Sequence, residues 1–469
     1  MSPVASIFRR LAAAVAAVLL AVGGYQAYRY YHRLVPVGDR RIDPRAEIDP
    51  RRGYHLVVWE HEVPLPWDAG AHRKALEEAI AEFRRAWPNI EVTLEVLPWQ
   101  EGHARLREAL AKGTPPDVYG MPLGARKVDA QWQVPVGPYL SKEARDDLLP
   151  SAVRALSDAD GLWAWPRWVQ PRVWVAREDL SPELARARPR WSGEEFAAAV
   201  AAVKTGSGAY GLALNPFDPS AFVELMVATT GKNLIGDDGT RAWSVEELAR
   251  GLEFFRELIR RGLVDSDPDR MARSRLAWFW TRRAAVVAPV NPWLLRHLLT
   301  RGGVTGSGQG EEEEPGHLAL AVPPPSLSTG RGPGRHPAVV SGYAVFRQQE
   351  YRGDDHTRAA MALAEHLSRR MGPWEAARLF AVPAHPSAWD GWRAEAGLPR
   401  KELDLLVEWA RLAVAPPLAD AFANVQEKAI ETVLAPQFVK LWDGADPEAL
   451  AREIAAGVDG LRAMVKQPY

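Results

Sequence analysis

The sequence predicts a two-lobed α/β protein in which each lobe holds a mixed sheet flanked by helices, and one membrane helix precedes the first lobe. The chain has 469 residues, roughly three times the length of an ordinary domain of about 150 residues. Strand-like and helix-like patterns alternate along it, which favours sheets covered by helices. An apolar segment at residues 11–24 follows two arginines and predicts the membrane helix.

The clearest alternation lies in residues 54–121, which read as strand, helix, strand, helix and strand. Residues 54–59 form a short apolar run, and a polar loop broken by prolines follows it. Apolar residues then recur at helical spacing from Leu76 to Trp87, and Pro88 ends the pattern. Residues 90–96 alternate between apolar and polar, the period of a strand with one buried face. A second helix around Leu106 and a strand over 117–121 complete the unit.

Two phrases in this region resemble a known family. They are Trp-Pro-Asn-Ile-Glu-Val at 87–92 and Ala-Lys-Gly-Thr-Pro-Pro-Asp-Val at 111–118. With later segments in the matching order, they resemble the extracellular solute-binding proteins of bacterial ABC importers, in the maltose-binding-protein-like branch that takes sugars and oligosaccharides. The resemblance covers most of the chain from about residue 53 onward. It implies the type II periplasmic-binding-protein-like fold.

Composition narrows the possible functions. The formal net charge is −1, so no global field would recruit nucleic acid. The chain contains no cysteine, which excludes disulfides, thiolate metal sites and cysteine nucleophiles. It contains 19 tryptophans, more than a core of this size needs, which favours surfaces that stack on flat ligands.

The N-terminal segment is the one part that does not read as globular. Tyrosines and arginines follow the apolar run, as in the interfacial belt of a membrane helix. We expect an uncleaved anchor with the bulk of the protein outside the membrane, and a cleaved export signal is the alternative. The family often carries a lipidated cysteine here, and this chain has none.

The later segments predict a second lobe. Extended aromatic stretches on either side of Pro171 resemble the place where the family's chain crosses between lobes, so the resemblance implies a hinge near 164–172. Capping boxes at Ser192 and Ser244 each precede an amphipathic helix. The resulting division is 1–33, a signal or membrane anchor; 34–52, a linker; 53–166 and 323–372, lobe 1; and 167–322 and 373–469, lobe 2.

Ligands of open α/β sheets bind beyond the carboxyl ends of the strands. A sugar offers hydroxyls to carboxylates and an apolar face to aromatic rings. The predicted ligand-binding residues are aromatic and acidic side chains at such ends or on the expected ligand loops: Trp59, Glu60, Glu62, Trp67, Asp68, Tyr119, Trp168, Trp174, Trp293, Tyr343 and Trp374. Core packing remains the alternative for each tryptophan.

Catalytic, metal and cofactor sites are not predicted. Glu60 and Glu62 lie two apart on one loop and are poorly placed to flank a glycosidic bond. The histidines lack metal-ligand spacing, and the run Glu311 to Glu314 reads as a solvated face. No glycine loop has the context of a phosphate site.

The expected function is capture of a small polar ligand, a carbohydrate by resemblance, and its delivery to an ABC permease. The protein would be an extracytoplasmic monomer tethered by its N-terminal helix, with no nucleic-acid partner. A membrane-tethered sensor with the same fold and no transport role is the alternative.

Overall fold

A computed structural model describes residues 3–63, 70–98, 101–121, 126–129, 131–184, 186, 188–290, 319–328 and 335–464. Two main sheets and the helices packed on them form two hydrophobic cores. Three of the predicted ligand residues, Trp67, Asp68 and Trp293, lie outside the described residues, and so does the run from Glu311 to Glu314.

The strands alternate with helices, as the sequence predicts. The strands are β1 (Val35–Val37), β2 (Arg40–Ile42), β3 (Tyr54–His61), β4 (Ile90–Leu97), β5 (Val118–Met121), β6 (Gln133–Val134), β7 (Ser157–Asp158), β8 (Gly161–Leu162), β9 (Trp165–Pro171), β10 (Trp174–Arg177), β11 (Tyr210–Ala213), β12 (Ala284–Val287), β13 (Ala319–Val322), β14 (His336–Phe346), β15 (Val382–Pro383) and β16 (Ala413–Val414).

The α-helices are α1 (Pro3–Tyr31), α2 (Ala71–Ala86), α3 (Gly102–Ala111), α4 (Lys142–Asp146), α5 (Pro150–Ala155), α6 (Gly193–Ser207), α7 (Ser220–Thr230), α8 (Val245–Arg260), α9 (Pro268–Trp280), α10 (Asp354–Leu379), α11 (Trp389–Glu395), α12 (Arg400–Arg411), α13 (Asp420–Ala429), α14 (Ala435–Val439) and α15 (Pro447–Met464). A π-helical turn, Ile430–Leu434, joins α13 to α14. Two 3₁₀ turns lie at Gly137–Tyr139 and Pro386–Ala388.

The larger sheet has eight strands in the order β15-β9-β14-β5-β3-β4, with β6 and β16 also paired to β14. Strand β3 runs parallel to β4 and β5, whereas β14 runs antiparallel to β5 and β9. All eleven residues of β14 are buried. The predicted unit over 54–121 is confirmed and supplies three of the eight strands, β3, β4 and β5.

The smaller sheet has four strands in the order β11-β12-β10-β13. β11 and β12 are parallel, so their carboxyl ends meet at one edge, and β10 begins beside that edge because it runs antiparallel to β12. Helices α6 and α9 pack on this sheet, and residues of α7, α8, α13 and α15 join the same core. We name this body the smaller lobe, and the larger sheet with its helices the larger lobe.

Both predicted capping boxes are confirmed. Ser192 Oγ accepts from the amide of Glu195 at 3.1 Å, and Glu195 Oε2 accepts from the amide of Ser192 at 3.0 Å. Ser244 and Glu247 repeat the arrangement at the start of α8. Each pair satisfies two amides that a helix N-terminus otherwise leaves unpaired.

Helix α10 continues across the expected lobe boundary at 372/373. Pro373 lies inside the helix, and Met371 and Leu379 on either side of it both pack in the core of the larger sheet. Gly372 allows α10 to approach β9 closely, because a Cβ at this position would lie 2.5 Å from the carbonyl oxygen of Arg167. Residues of α11 and α12 pack in the same core. We therefore propose 54–171 and 336–413 for the larger lobe, and 174–328 and 420–464 for the smaller lobe.

In this division the chain passes between the lobes three times: from β9 to β10, from β13 to β14, and from β16 to α13. The three passages lie side by side. The amide of Arg172 donates to the carbonyl of Pro337 at 2.7 Å, and the amide of His336 donates to the carbonyl of Leu412 at 3.1 Å. Together these segments form the base of the space between the lobes.

Helix α1 lies at the N-terminus and exposes apolar side chains over residues 15–28. Leu20 is 77% exposed, and Val18 and Leu19 are exposed to a similar extent. In the part of the chain described above, no helix is both long and apolar enough to cross a membrane.

Candidate functional site

The structure buries most of the predicted ligand-binding residues. Glu60, Tyr119, Trp168, Trp174 and Tyr343 are each at most 2% exposed. The ring of Trp59 is 8% exposed, and the guanidinium of Arg105 lies 4.7 Å from its centroid. Glu62 is exposed, and Trp374 is half-buried against the larger core.

Several of these residues meet around Arg167 of β9, inside the larger lobe. Nη1 of Arg167 donates to Glu60 Oε2 at 2.9 Å and to Tyr343 Oη at 3.2 Å. Its Nε donates to Ser341 Oγ at 2.6 Å, and its Nη2 donates to the carbonyl of Met121 at 3.1 Å. Glu60 and Tyr343 are therefore brought together, but by a buried cation of the protein.

Glu375 of α10 completes this network. Its Oε1 lies 3.1 Å from Arg167 Nη1 and 3.2 Å from His72 Nε2, and its Oε2 accepts from Trp168 Nε1 at 2.6 Å. Burial acts to raise the pKa of Glu375, but the charge of Arg167 and the bond from His72 outweigh it and hold the pKa below its usual value. In turn, Glu375 and Glu60 raise the pKa of Arg167 against its burial.

Tyr119, another of the predicted residues, lies beside two histidines on the face of the sheet opposite to Glu60. The hydroxyl of Tyr119 lies 2.7 Å from Nε2 of His61, and the ring of His103 lies within 6.2 Å of the Tyr119 ring, centroid to centroid. Burial lowers the pKa of His61 and of His103 to about 4. Both rings are therefore neutral at pH 7, and His61 acts as a hydrogen-bonding group, not as a cation.

Between the lobes lies a cavity of about 420 Å³, within the range of about 300–1,000 Å³ that is typical of small-molecule sites. Both lobes line it. The smaller lobe contributes residues of α7, α9 and α13 and the loops after β11 and β12, and the larger lobe contributes the start of β14. The lining residues are Arg172, Asp218, Ser220, Val223, Glu224, Val227, Asn233, Arg275, Pro289, Val290, Pro337, Ala338, Val339, Val414, Pro416, Ala423, Gln426, Glu427 and Ile430.

Trp174 does not line this cavity but bonds Glu224, which does. The indole Nε1 of Trp174 donates to Glu224 Oε2 at 2.8 Å. Burial raises the pKa of Glu224 to about 7, although Arg172 and the Trp174 bond act to lower it. Trp174 is thus a residue that orients a cavity carboxylate, and its ring packs on Phe196 with the centroids 5.3 Å apart.

The loop after β11 carries an aromatic ring at the edge of the site. Phe217 is 49% exposed and directly precedes Asp218, whose Oδ1 accepts from the amide and hydroxyl of Ser220 at 3.0 and 2.6 Å. Asn215 Oδ1 accepts from the amide of Phe217 at 3.2 Å and braces the turn. Parallel strands place such loops at the ligand edge of an α/β sheet.

Arg126 joins the two lobes beside this cavity. It follows β5 in the larger lobe, and its Nη1 donates to Asp420 at 2.9 Å and to Asn424 at 2.7 Å on α13 of the smaller lobe. Its Nη2 also bonds Glu427. The backbone of Lys127 pairs with that of Leu418 and Asp420. These contacts are ones that separation of the lobes would break.

Sequence reasoning missed the polar residues of the cavity, namely Arg172, Asp218, Glu224, Asn233 and Arg275. One signal was available: Asn-Pro-Phe-Asp-Pro at 215–219 directly follows the strand at 210–213 and places an aromatic and a carboxylate at a strand end. Glu224 and Arg275 lie inside helices, where charged residues normally indicate a solvated face.

Within the described ranges, no group of three or more histidine, aspartate or glutamate side chains is arranged to hold a metal ion. The lining of the cavity contains guanidinium, carboxylate and amide groups, which can offer hydrogen bonds and charge to a ligand.

Residues 69–347, more than half of the chain, match the family model described as bacterial extracellular solute-binding protein. Sequence comparison with curated proteins gives no match. Solved structures share the fold. The sugar-binding protein MalE from Xanthomonas citri superposes with a TM-score of 0.68 at 19% identity, covering 87% of this chain and 97% of that one.

Two further structures are similar over the same region. A putative oligosaccharide periplasmic-binding protein from Synechococcus sp. gives a TM-score of 0.63 at 19% identity, covering 87% of this chain and 99% of that one. An ABC substrate-binding protein from Listeria monocytogenes, solved with cycloalternan, gives a TM-score of 0.60 at 14% identity, covering 87% of this chain and 98% of that one.

The family match and the shared α/β periplasmic-binding-protein-like fold confirm the resemblance seen in the sequence. The chain belongs to the bacterial extracellular solute-binding protein family, whose members bind solutes and are not enzymes.

Proposed function

We propose that the protein captures a carbohydrate between its two lobes and delivers it to an ABC transporter permease. The observation that supports this most directly is the cavity of about 420 Å³ whose lining comes from both lobes. A ligand in this space contacts both lobes only when they are close together. Its differential affinity then shifts the population toward the closed form, which is the form a permease would recognise.

The ligand chemistry follows from the residues around the cavity. Asp218, Glu224, Asn233 and Gln426 offer acceptors and donors for hydroxyl groups, and Phe217 offers an exposed ring for the apolar face of a sugar. Among the similar structures, the one from Bdellovibrio bacteriovorus is described as bound to maltotriose. The likeness supports the carbohydrate class and leaves the particular sugar to experiment.

Isothermal titration calorimetry over a panel of mono- and oligosaccharides tests the proposal. We expect saturable binding with 1:1 stoichiometry to at least one member. Small-angle scattering should then show a smaller radius of gyration in the presence of that sugar. A folded protein that binds no carbohydrate in the panel would contradict the proposal.

The glycosidase alternative gains no support from the position of the two carboxylates. Glu60 is enclosed and bonded to Arg167, and Glu62 is exposed in a different environment. Neither residue lines the cavity between the lobes.

We further propose that α1 holds the protein at the outer face of the cell membrane. The exposed apolar side chains of residues 15–28 support this part of the proposal, because such a surface is normally covered by lipid or by another protein. Membrane fractionation of the full chain, with a carbonate wash to remove peripheral proteins, is the measurement. Recovery in the soluble fraction after the wash would contradict the tether.

A tethered sensor is the second candidate, because the chain lacks a cysteine for the lipid anchor that often holds the family's transport receptors. Neighbouring permease genes would support transport, and a neighbouring histidine kinase gene would support sensing.

A further inference from the structure

One arginine side chain that lines the cavity between the lobes bonds no other side chain in the part of the chain that the structure describes. Arg172 lines the cavity, and within the described residues its guanidinium makes no hydrogen bond or ion pair. Only its backbone is engaged, since its amide donates to Pro337 and its carbonyl accepts from His336 Nε2 at 2.7 Å. A guanidinium carries five N–H donors in a planar arrangement. Those of Arg172 bond no group of the described residues and could bond a ligand.

A second arginine is only partly satisfied. Nη1 of Arg275 donates to the carbonyls of Ala288 and Pro289 at 3.5 and 2.9 Å. No carboxylate of the described residues bonds it. Both arginines line the same cavity, and neither forms an ion pair with a carboxylate of the described residues.

The carboxylates of the cavity, in contrast, each have a donor of their own. Asp218 accepts from Ser220, Glu224 accepts from Trp174, and Glu427 accepts from Arg126. Because burial raises the pKa of Glu224 to about 7, this carboxyl carries only part of a negative charge at neutral pH. Each carboxylate of the cavity is thus at least partly satisfied, whereas the guanidinium of Arg172 bonds no side chain of the described residues.

The contrast with Arg167 shows what complete pairing looks like in the same molecule. Glu375 and Glu60 raise the pKa of Arg167 despite its burial. Burial lowers the pKa of Arg172 and that of Arg275, and Glu224 and Asp218 offset this only in part. An anion placed in the cavity would supply the missing compensation.

We propose, on the basis of the proposed function, that the solute is an acidic carbohydrate whose anionic group binds the guanidinium of Arg172. Arg275 adds a second positive charge to the lining of the cavity. Hydroxyl groups of the same sugar bond Asp218, Glu224 and Asn233, and the site would reject the neutral analogue because it leaves the arginine unpaired. A carboxylate, a phosphate and a sulfate share this chemistry, and a planar carboxylate matches the fork in a bidentate manner.

Matched pairs of sugars test this inference by calorimetry on the full chain. Each pair contains a neutral sugar and its anionic form: glucose with glucuronate and with glucose 6-phosphate, galactose with galacturonate, and a neutral oligosaccharide with an oligouronide. We expect the anionic member of at least one pair to bind at least tenfold more tightly. Its affinity should fall with rising salt concentration, because the interaction is ionic.

Two variants locate the effect. Arg172→Gln should remove the preference for the anionic member, and Arg172→Lys should restore part of it. Arg260→Gln is the matched control, because Arg260 lies in the smaller lobe with a side chain 75% exposed and bonds only Glu257. It should leave both affinities unchanged.

Stability gives a readout that does not depend on finding the sugar. The guanidinium of Arg172 bonds no side chain of the described residues, and its burial outweighs the attraction of Glu224. Arg172→Gln should therefore raise the melting temperature of the unliganded protein or leave it unchanged. A clear fall would contradict the assignment of Arg172 to a ligand.

The outcomes separate the two proposals. Equal binding of neutral and anionic sugars, or a preference that survives in Arg172→Gln, would overturn the inference and leave carbohydrate capture intact. Binding of no sugar of either kind would overturn both.

Discussion

Nη1 of Arg167 lies 3.1 Å from Oε1 of Glu375, and both side chains are almost completely shielded from solvent. The pair joins β9 to α10, and Glu60 brings β3 into the same contact. The sheet is thus tied to a covering helix by charges inside the core.

Replacing Glu375 by Gln should destabilise the protein strongly. The guanidinium of Arg167 and the indole N–H of Trp168 would both lose a charged hydrogen-bond acceptor. Removal of one member of a buried ion pair costs about 3–5 kcal/mol. Urea unfolding followed by tryptophan fluorescence measures the loss. Glu365→Gln is the control on the same helix: its 3.4 Å pair with Arg369 is about one-third exposed, so the loss should stay below about 1 kcal/mol. Equal losses in the two variants would contradict the structural role of the buried pair.

Arg126→Gln should shift the protein toward its open form. The substitution removes the ionic contacts to Asp420 and Glu427 across the lobes. Small-angle scattering should show a larger radius of gyration in the variant, and ligand affinity should fall because the closed form is less populated. Arg107→Gln, on the exposed side of α3, should change neither quantity. An unchanged radius in both variants would show that these contacts do not hold the lobes together.

The stability of the protein should depend on pH through His336. Burial lowers the pKa of this ring to about 3, whereas the unfolded chain binds the proton near pH 6.5. Because the unfolded state then holds more protons, stability falls as the pH drops from about 6.5 toward 3, by roughly 1.4 kcal/mol per pH unit for one such group. His336→Gln should flatten this dependence when unfolding at pH 7.5 and 5.0 is compared.

His55→Gln serves as the control for that measurement, since the ring of His55 is exposed on β3. Burial also lowers the pKa of His61, His103 and His385 to about 4, so the variant should reduce the slope without abolishing it. An unaltered slope in His336→Gln would contradict the proposed linkage.

Phe217→Ala should weaken sugar binding without changing stability. The ring is 49% exposed beside the cavity residue Asp218, and an aromatic contact contributes about 0.5–1.5 kcal/mol, equivalent to a 2- to 12-fold change in affinity. Calorimetry and a thermal melt check the two expectations. Trp87→Ala is the control, since Trp87 is 36% exposed at the end of α2 in the larger lobe. Equal affinity in Phe217→Ala and the parent would remove this ring from the site.

Local features of the fold were predictable because their signals are local. The capping box at Ser192 and the alternation over 90–96 are each contained in a few residues, and both are confirmed. The candidate site was less accessible to such reasoning. Glu60 does lie at a strand end, but its partner Arg167 comes 107 positions later, and no local pattern announces that contact.

The same limit applies to the tryptophans. An aromatic residue at a strand end fits a cleft and a core equally well until the opposing helix is known. For Trp168 the deciding neighbour is Glu375, which lies 207 positions away and accepts its indole N–H. Arg172 lies at the end of the predicted hinge, but no local pattern shows that its side chain lines the cavity, because the other lining residues come from distant segments of the chain.

The bonds among the three chain passages have a mechanical consequence. His336 holds two of them at once, through its amide to Leu412 and its ring to the carbonyl of Arg172, and the ring stacks on Trp409 with the centroids 5.3 Å apart. Because the three passages are bonded to one another, they should resist twisting between the lobes more than bending. Opening should therefore be a hinge rotation of one lobe relative to the other about a single axis. Because Arg172 belongs to one of these passages, the opening angle between the lobes and the position of its guanidinium are coupled.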